Sequence, residues 1–187
     1  MTIREVTLMG NPILLQRAAP VDDIDDPELQ VLIDDMMATV EETAGIGIAA
    51  PQVGEGRRVI LALPIEGREE RKPPMVLVNP VIEPLDEEMV DGMEGCLSIP
   101  GLRGIVPRHR RVRYRALDRT GRPIEGVAED LFARILQHEV DHLDGILFTM
   151  RMTDLRLLAM QPAAHYLAGS EAEPTASNDK GEAGPSA

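Results

Sequence analysis

The apolar positions in the N-terminal part of the chain follow a helical period. They recur at spacings of four, three and four residues, at Leu29, Ile33, Met36 and Val40. This period predicts an amphipathic helix over about residues 27–43, with Asp26 as its N-cap and Pro27 at its first position. The preceding residues 3–9 alternate only loosely and are expected to form a short extended arm.

Shorter apolar runs in the middle of the chain indicate β-strands. The predicted strands cover residues 58–63, 75–79, 81–85, 110–117 and 123–129. In the run at 110–117, three arginines alternate with Val112, Tyr114 and Ala116, as in a strand with one buried face. We therefore expect those arginines to lie on a solvated face rather than on a nucleic acid. A last helical segment is predicted over residues 153–160.

A second helical period surrounds the sequence Gln-His-Glu-Val-Asp-His at residues 137–142. Its apolar and histidine positions, again spaced by four, three and four, are Leu131, Ile135, His138 and His142. Asp130 is the expected N-cap and Gly145 the expected stop. Because His138 and His142 lie one turn apart on the same face of a helix, both imidazoles can reach one metal ion.

Glu139 lies beside that face, where it can accept a proton from a water molecule next to the metal. The alternative is a core helix with two satisfied histidines. A catalytic metal site also needs a third protein ligand. Cys96 offers a thiolate, which is a good ligand for first-row metals, although a buried free thiol is the commoner fate of a lone cysteine.

Composition narrows the function classes. The chain has 187 residues, 43% of them hydrophobic, which suits one globular domain over residues 1–167. Residues 168–187 carry acidic and small side chains without apolar periodicity, so we expect a disordered acidic tail. The net charge of −13 argues against direct nucleic-acid binding. A single cysteine, no visible signal peptide and no membrane-length apolar run predict a cytoplasmic protein without membrane binding.

Three motifs along the chain resemble those of the peptide deformylase family. They are Gly-Ile-Gly-Ile-Ala-Ala-Pro-Gln at residues 45–52, Glu-Gly-Cys-Leu-Ser at 94–98 and Gln-His-Glu-Val-Asp-His at 137–142. The similarity continues between them and covers about residues 3–152. The resemblance implies an α+β fold in which antiparallel β-strands pack around a central metal-binding α-helix.

The resemblance also implies a metal centre and a reaction. One divalent ion, usually Fe²⁺ with Zn²⁺ or Ni²⁺ as alternatives, would be held by Cys96, His138 and His142. The implied reaction is hydrolytic removal of the N-formyl group from the initiator methionine of newly synthesised polypeptides, which releases formate. N-formylmethionyl nascent polypeptides are then the partners. The ribosome stays open as a partner, but the acidic C-terminal end argues against docking through a basic C-terminal helix.

Individual roles follow from the resemblance and from the residue types. Glu139 is expected to transfer the proton from water to the leaving amine. The Gln52 amide and the Leu97 backbone N–H are expected to donate to the developing oxyanion. The residues expected to contact the substrate are Gly47, Gly95, Arg103, Leu131 and Ile135. For Leu131 and Ile135 the alternative is an ordinary core position, and for Arg103 a solvated surface.

Two rival hypotheses build the metal site from other candidate ligands. A zinc peptidase would take its third ligand downstream of the helix, where His165 and Glu171 are the candidates. A structural zinc module would need four ligands, and His109 is the remaining histidine. Within the deformylase hypothesis, Asp141 near a buried cation needs a positive partner, and we predict a bidentate pair with Arg108.

Overall fold

The computed structural model describes residues 1–65 and 73–167, so the predicted tail at 168–187 lies outside the described residues. The helices are α1 (Pro27–Glu42), α2 (Asp130–Leu143) and α3 (Phe148–Arg151). The strands are β1 (Gly47–Ala49), β2 (Val59–Ala62), β3 (Met75–Pro84), β4 (Met89–Cys96), β5 (Ile99–His109), β6 (Arg111–Leu117), β7 (Pro123–Glu129) and β8 (Leu158–Met160). Short 3₁₀ turns cover Pro12–Leu15, Ala50–Val53, Leu155–Leu157 and Gln161–Tyr166.

The strands form two antiparallel sheets. One has five strands in the order β1-β2-β3-β6-β7, and the other has three in the order β4-β5-β8. In the described parts of the chain, no helix is long and apolar enough to cross a membrane. The predicted α+β class, with antiparallel strands around a central helix, is confirmed.

The five-stranded sheet is covered by a helix on each face. Ile60 and Ala62 of β2 pack in one core cluster with the apolar face of α2. The alternate residues Val59 and Leu61 pack in a second cluster with α1. Both faces of β2 are therefore buried, which explains why its sequence is continuously apolar. A third cluster, including Leu14, Val106 and Phe148, lies against the smaller sheet.

The predicted first helix is confirmed, including its N-cap. The Asp26 side chain accepts a hydrogen bond from the Glu28 backbone N–H, and Pro27 occupies the first turn. The two predicted strands at 75–79 and 81–85 form one strand, β3, with a register shift between Val78 and Val81. Asn79 lies at the shift with a φ of 52°, and its side chain exchanges two hydrogen bonds with the backbone of Val21.

Two predictions about helices were wrong, one about a whole segment and one about an N-cap. The segment 153–160 forms a 3₁₀ turn and strand β8, because Leu158–Met160 pair with the edge of β5. Asp130 is the first residue of α2 rather than its N-cap, and its carboxylate accepts from Arg110 instead. The predicted stop is confirmed, since Gly145 follows the end of α2 with a φ of 74°.

Candidate active site

Two elements supply the predicted metal ligands. Cys96 is the last residue of β4, and the two-residue turn Leu97–Ser98 leads directly into β5. His138 and His142 project from one face of α2, with ring centroids 5.0 Å apart. One ligand atom from each of Cys96, His138 and His142 lies within 4.8 Å of the others, and all three residues are buried. Helix and hairpin thus bring together a set of donors that could hold a metal ion.

Glu94 orients one of these histidines. Its Oε2 lies 2.9 Å from Nδ1 of His138. Burial opposes ionisation of this carboxyl, but hydrogen bonds from His138 and Arg108 outweigh it and lower the pKa of Glu94 to about 2. An ionised carboxylate only accepts, so Nδ1 of His138 carries the proton and its Nε2 is the ligand atom. The sequence reasoning gave Glu94 no role, although residues two apart on a strand share a face and Glu94 is two before Cys96.

The predicted partnership of Asp141 with Arg108 is confirmed as a contact, but the bidentate geometry was wrong. Arg108 Nη1 donates to Asp141 at 2.5 Å. The fork of the guanidinium is directed instead at Glu94, with Nε and Nη2 at 2.9 and 3.0 Å from its two oxygens. Arg151, which the sequence reasoning did not consider, supplies the two-point contact to Asp141 at 2.6 and 3.1 Å.

The cluster of ligand atoms suits a divalent cation. A thiolate and two imidazoles are ligands for zinc and for first-row transition metals. Burial by itself lowers the pKa of His138, but hydrogen bonds with Cys96 and Glu94 outweigh it and raise the pKa to about 10. The surroundings of the His138 ring therefore favour a positive charge there. Burial and then the charge of His138 lower the pKa of His142 well below its ordinary value, which keeps that ring in the neutral form that binds metal.

Glu139 lies beside the cluster with one carboxylate oxygen unused. Burial raises the pKa of Glu139 to about 7. Its Oε2 is buried and has no hydrogen-bond partner among the described residues. The other oxygen lies against Gly47 in β1, where a Cβ would overlap the carboxylate. A buried carboxyl with a free oxygen, in the same cleft as a metal-ligand cluster, is suited to accept a proton from a water molecule there.

A cleft of about 480 Å³ opens onto this cluster. Among the residues that the sequence analysis predicted, those lining it are Gly47, Gln52, Gly95, Cys96, Leu97, Arg103, Leu131, Ile135, His138 and Glu139. Ile135 is buried in the cleft wall, whereas Leu131 is 43% exposed and lies at its rim. His142 lies behind them, with its Nε2 3.2 Å from Sγ of Cys96.

The side-chain amide of Gln52 faces the thiol. Its Oε1 accepts a hydrogen bond from the Ala49 backbone N–H at 2.8 Å. That bond assigns the NH₂ group to the opposite side, where Nε2 lies 3.4 Å from Sγ of Cys96 and 3.3 Å from Oγ of Ser98. A donor held in a fixed direction beside the ligand cluster is what stabilisation of an oxyanion requires.

The small size of Gly95 is explained by a neighbouring side chain, which was not predicted from the sequence. A Cβ at Gly95 would overlap the guanidinium of Arg103. That guanidinium also donates to the Leu102 carbonyl at 2.8 Å, so it is held across the cleft-facing side of Gly95. The close approach is therefore to Arg103 within the chain itself.

The ligands of the rival hypotheses lie elsewhere. His165 is exposed and its Nδ1 lies 3.0 Å from the Pro162 carbonyl. The ligand cluster contains neither His165 nor His109. Glu171 lies outside the described residues.

Comparison with known proteins shows which family the chain is similar to. A family model described as polypeptide deformylase matches residues 3–157. The chain is 50% identical over 161 residues to peptide deformylase 1 of Bordetella pertussis, across 82% of this chain and 89% of that protein. It is similar to the K2U-bound class I type b peptide deformylase of Acinetobacter baumannii, with a TM-score of 0.76, 39% identity, and 81% and 100% of the two chains covered. A Met-Ala-Ser-bound structure of the Acinetobacter enzyme gives a TM-score of 0.74, 42% identity and the same coverage.

Proposed function

This chain belongs to the polypeptide deformylase family and removes the N-formyl group from nascent polypeptides, and we propose that it does so at Cys96, His138 and His142 with Glu139 as the proton-transfer group. The observation that carries the proposal is the buried cluster of one sulfur and two imidazole nitrogens, which lies beside a carboxylate with an unused oxygen. A cleft leads from the surface to this cluster.

The thiolate of Cys96 and the Nε2 atoms of both histidines would hold one divalent ion. When bound, such an ion lowers the pKa of a water molecule and makes hydroxide available near neutral pH. The resemblance favours Fe²⁺, with Zn²⁺ and Ni²⁺ as alternatives. The ion pair between Glu94 and Arg108 fixes the ring of His138 from behind, so the imidazole keeps its direction through the reaction.

Glu139 moves the proton. Its free Oε2 accepts the proton from the attacking water, and the resulting carboxylic acid then protonates the leaving nitrogen of the amide. A pKa raised to about 7 by burial suits both steps, because the group gains and loses a proton at neutral pH.

The negative charge that develops on the formyl oxygen must be stabilised by hydrogen-bond donors. We assign this role to the side-chain NH₂ of Gln52 and the backbone N–H of Leu97. Gln52 is held by its bond to Ala49 and faces Cys96. Leu97 directly follows Cys96 and also lines the cleft. Donors held in place before the reaction stabilise the transition state without having to reorganise.

The remaining cleft residues would bind the polypeptide. Leu131 and Ile135 precede His138 on the same face of α2 and offer an apolar wall to the methionine side chain. Gly47 and Gly95 would contact the substrate through their backbone groups, because Glu139 and Arg103 fill the space beside their Cα atoms, and Arg103 offers a positive group near the substrate. The same proposal places the protein in the cytoplasm and expects no direct nucleic-acid binding. The ribosome stays open as a partner, but not through a basic C-terminal helix.

Formate release from a formyl-Met peptide, measured on protein purified without oxygen, tests the proposed centre. We expect Cys96→Ser to lose both metal and turnover, because it removes the thiolate. His165→Ala is the matched control and should keep both, because His165 is exposed and outside the cluster. Loss of metal in His165→Ala but not in Cys96→Ser would favour a peptidase site and overturn the assignment.

A further inference from the structure

Arg134 is a largely buried charged residue on the cleft-facing side of α2, with 12% of its side chain exposed. It lies one turn before His138, and its guanidinium reaches across to the hairpin of β4 and β5. Nη1 donates to the Val106 carbonyl at 2.7 Å, and Nη2 donates to the Val90 carbonyl at 2.6 Å. Nη1 also donates to Oε1 of Glu94 at 2.8 Å. Arg134 therefore joins the helix that carries both histidines to the hairpin that carries Cys96.

With Arg134 in place, the carboxylate of Glu94 is fully used. Oε1 accepts from Arg134 Nη1 and from Arg108 Nε, at 2.8 and 2.9 Å. Oε2 accepts from Arg108 Nη2 and from His138 Nδ1, at 3.0 and 2.9 Å. A carboxylate offers about four acceptor positions, so it has none left and cannot turn without breaking a bond. One of the two arginines comes from the hairpin and the other from the helix.

Gly92 in β4 provides the space for this arrangement. A Cβ at Gly92 would lie 2.7 Å from both Cζ and Nη2 of Arg134. The guanidinium is pinned by its acceptors, so it has little freedom to move away from a new methyl group. Gly92 and Arg134 therefore form a matched pair, because the guanidinium of Arg134 occupies the space that a side chain at Gly92 would need.

We propose that Arg134 is a positioning residue of the metal centre, which through Glu94 holds the imidazole of His138 in its ligating direction. This inference rests on the proposed function, since it takes His138 as a ligand. Arg108 alone would leave Oε1 with one donor, and His138 itself would be the remaining contact of the carboxylate on α2. With Arg134 present, Glu94 has a second contact on α2 that does not depend on the imidazole it orients, so His138 and its acceptor move together when helix and hairpin shift.

The test uses the full-length protein loaded with Co²⁺, because the absorption of this ion reports its ligand geometry. Arg134→Met keeps an unbranched stem of similar reach and removes the donors. We expect Co²⁺ to be lost to a chelator about 10- to 100-fold faster, which is the usual effect of removing an outer partner of a metal ligand. The Co²⁺ spectrum should change, and kcat for a formyl-Met peptide should fall more than KM rises.

Arg110→Met is the matched control. Arg110 also links the hairpin to α2, through Asp130 at 2.9 Å and Glu88 at 3.3 Å, but it does not touch Glu94. We expect its Co²⁺ loss rate and spectrum to equal those of the wild type. If Arg134→Met also keeps the wild-type rate and spectrum, the inference is overturned, whatever its melting temperature.

Gly92→Ala provides a second route that leaves Arg134 in the chain. If Arg134→Met does not fold, an unchanged Co²⁺ loss rate in Gly92→Ala alone overturns the inference. It should accelerate Co²⁺ loss in the wild type, since the new methyl group displaces the guanidinium. In the Arg134→Met background it should add nothing, because the methyl group enters vacated space. Equal effects in both backgrounds would contradict the pairing. A wild-type protein that binds no Co²⁺, or binds it unchanged after Cys96→Ser, would overturn the proposed function and this inference with it.

Discussion

At the scale of single residues, small side chains determine where the large functional ones lie. A Cβ at Gly47 would overlap the carboxylate of Glu139. A Cβ at Gly95 would overlap the guanidinium of Arg103. Neither glycine has a positive φ, so backbone freedom does not explain them. Their function is to leave space, and the site depends on what occupies it.

Glu139→Ala should keep the metal and lose about 10²- to 10⁴-fold in kcat, the usual contribution of a general base. The metal is expected to stay because Glu139 is not one of the three residues whose ligand atoms converge. Elemental analysis together with formate release checks both halves. A folded but metal-free Glu139→Ala protein would contradict the assigned role.

Gly47→Ala should lower kcat by about 100-fold, the scale of effect produced by a misplacement of about 1 Å, while the metal is retained. The new methyl group displaces the Glu139 carboxylate, which leaves the three ligands untouched. Gly56→Ala is the control, because a Cβ there meets nothing within 4 Å and Gly56 has no positive φ. Equal activity in the two variants would rule out the contact between Gly47 and Glu139 as a constraint on catalysis.

At the scale of elements, the site is the interface between α2 and the β4–β5 hairpin. The hairpin brings Cys96 and Glu94, and the helix brings His138. Arginines cross the interface in both directions. Arg108 of β5 reaches Asp141 of α2, and Arg134 of α2 reaches Glu94 of β4. Their side chains are buried, so breaking one contact leaves a charge without its partner in the interior.

A double-mutant cycle of Arg108→Met and Asp141→Asn tests that contact. Arg108→Met should lower the free energy of unfolding by about 3 kcal/mol, because it leaves two buried carboxylates short of a donor. Asp141→Asn should cost less, since Arg108 keeps its fork on Glu94. The two effects should be non-additive by about 1 kcal/mol. Denaturant unfolding measures each corner of the cycle.

The control cycle uses Arg115→Met and Glu83→Gln, an ion pair whose side chains are about half exposed. Its coupling should stay below about 0.5 kcal/mol, as for other solvated pairs. Additive effects of Arg108→Met and Asp141→Asn on both stability and metal retention would show that the buried contact contributes nothing.

At the scale of the whole molecule, three apolar clusters surround the five-stranded sheet and the smaller one. Helix α2 is central because its apolar face packs on one sheet while His138 and His142 face the hairpin of the other. Two of the three proposed metal ligands are therefore carried by a helix that also packs in the core, and the third, Cys96, comes from β4. The sequence after residue 167 has no apolar periodicity.

Truncation after Leu167 should leave the melting temperature within a few degrees of the full chain, with the same kcat. The reason is that residues 168–187 offer almost no apolar side chains to bury, so their loss removes little hydrophobic stabilisation. Thermal unfolding and formate release on both proteins check this. A fall of more than a few degrees would mean that the tail packs on the domain.

The sequence by itself determined the local features of this protein. The α1 helix, its cap at Asp26 and the one-turn spacing of His138 and His142 follow from periods within a few residues. Strand β6 follows for the same reason, since Val112 and Ala116 are buried while Arg111, Arg113 and Arg115 are not. The three motifs were also sufficient to predict the family that the comparisons support.

Only the tertiary structure decided which distant groups meet. Residues 158–160 are a strand because they pair with β5, an interaction that no local period records. Strands β4 and β5 escaped prediction because several of their buried residues, Glu94, Gly104 and Arg108, are not apolar, so burial leaves no apolar alternation in the sequence. The acceptors of Arg108 and Arg134 are likewise distant in sequence, whereas Arg111 and Arg115 on β6 make only exposed ion pairs at the surface. Burial and the choice of partner are properties of the assembled chain, and they turn these common residues into parts of the site.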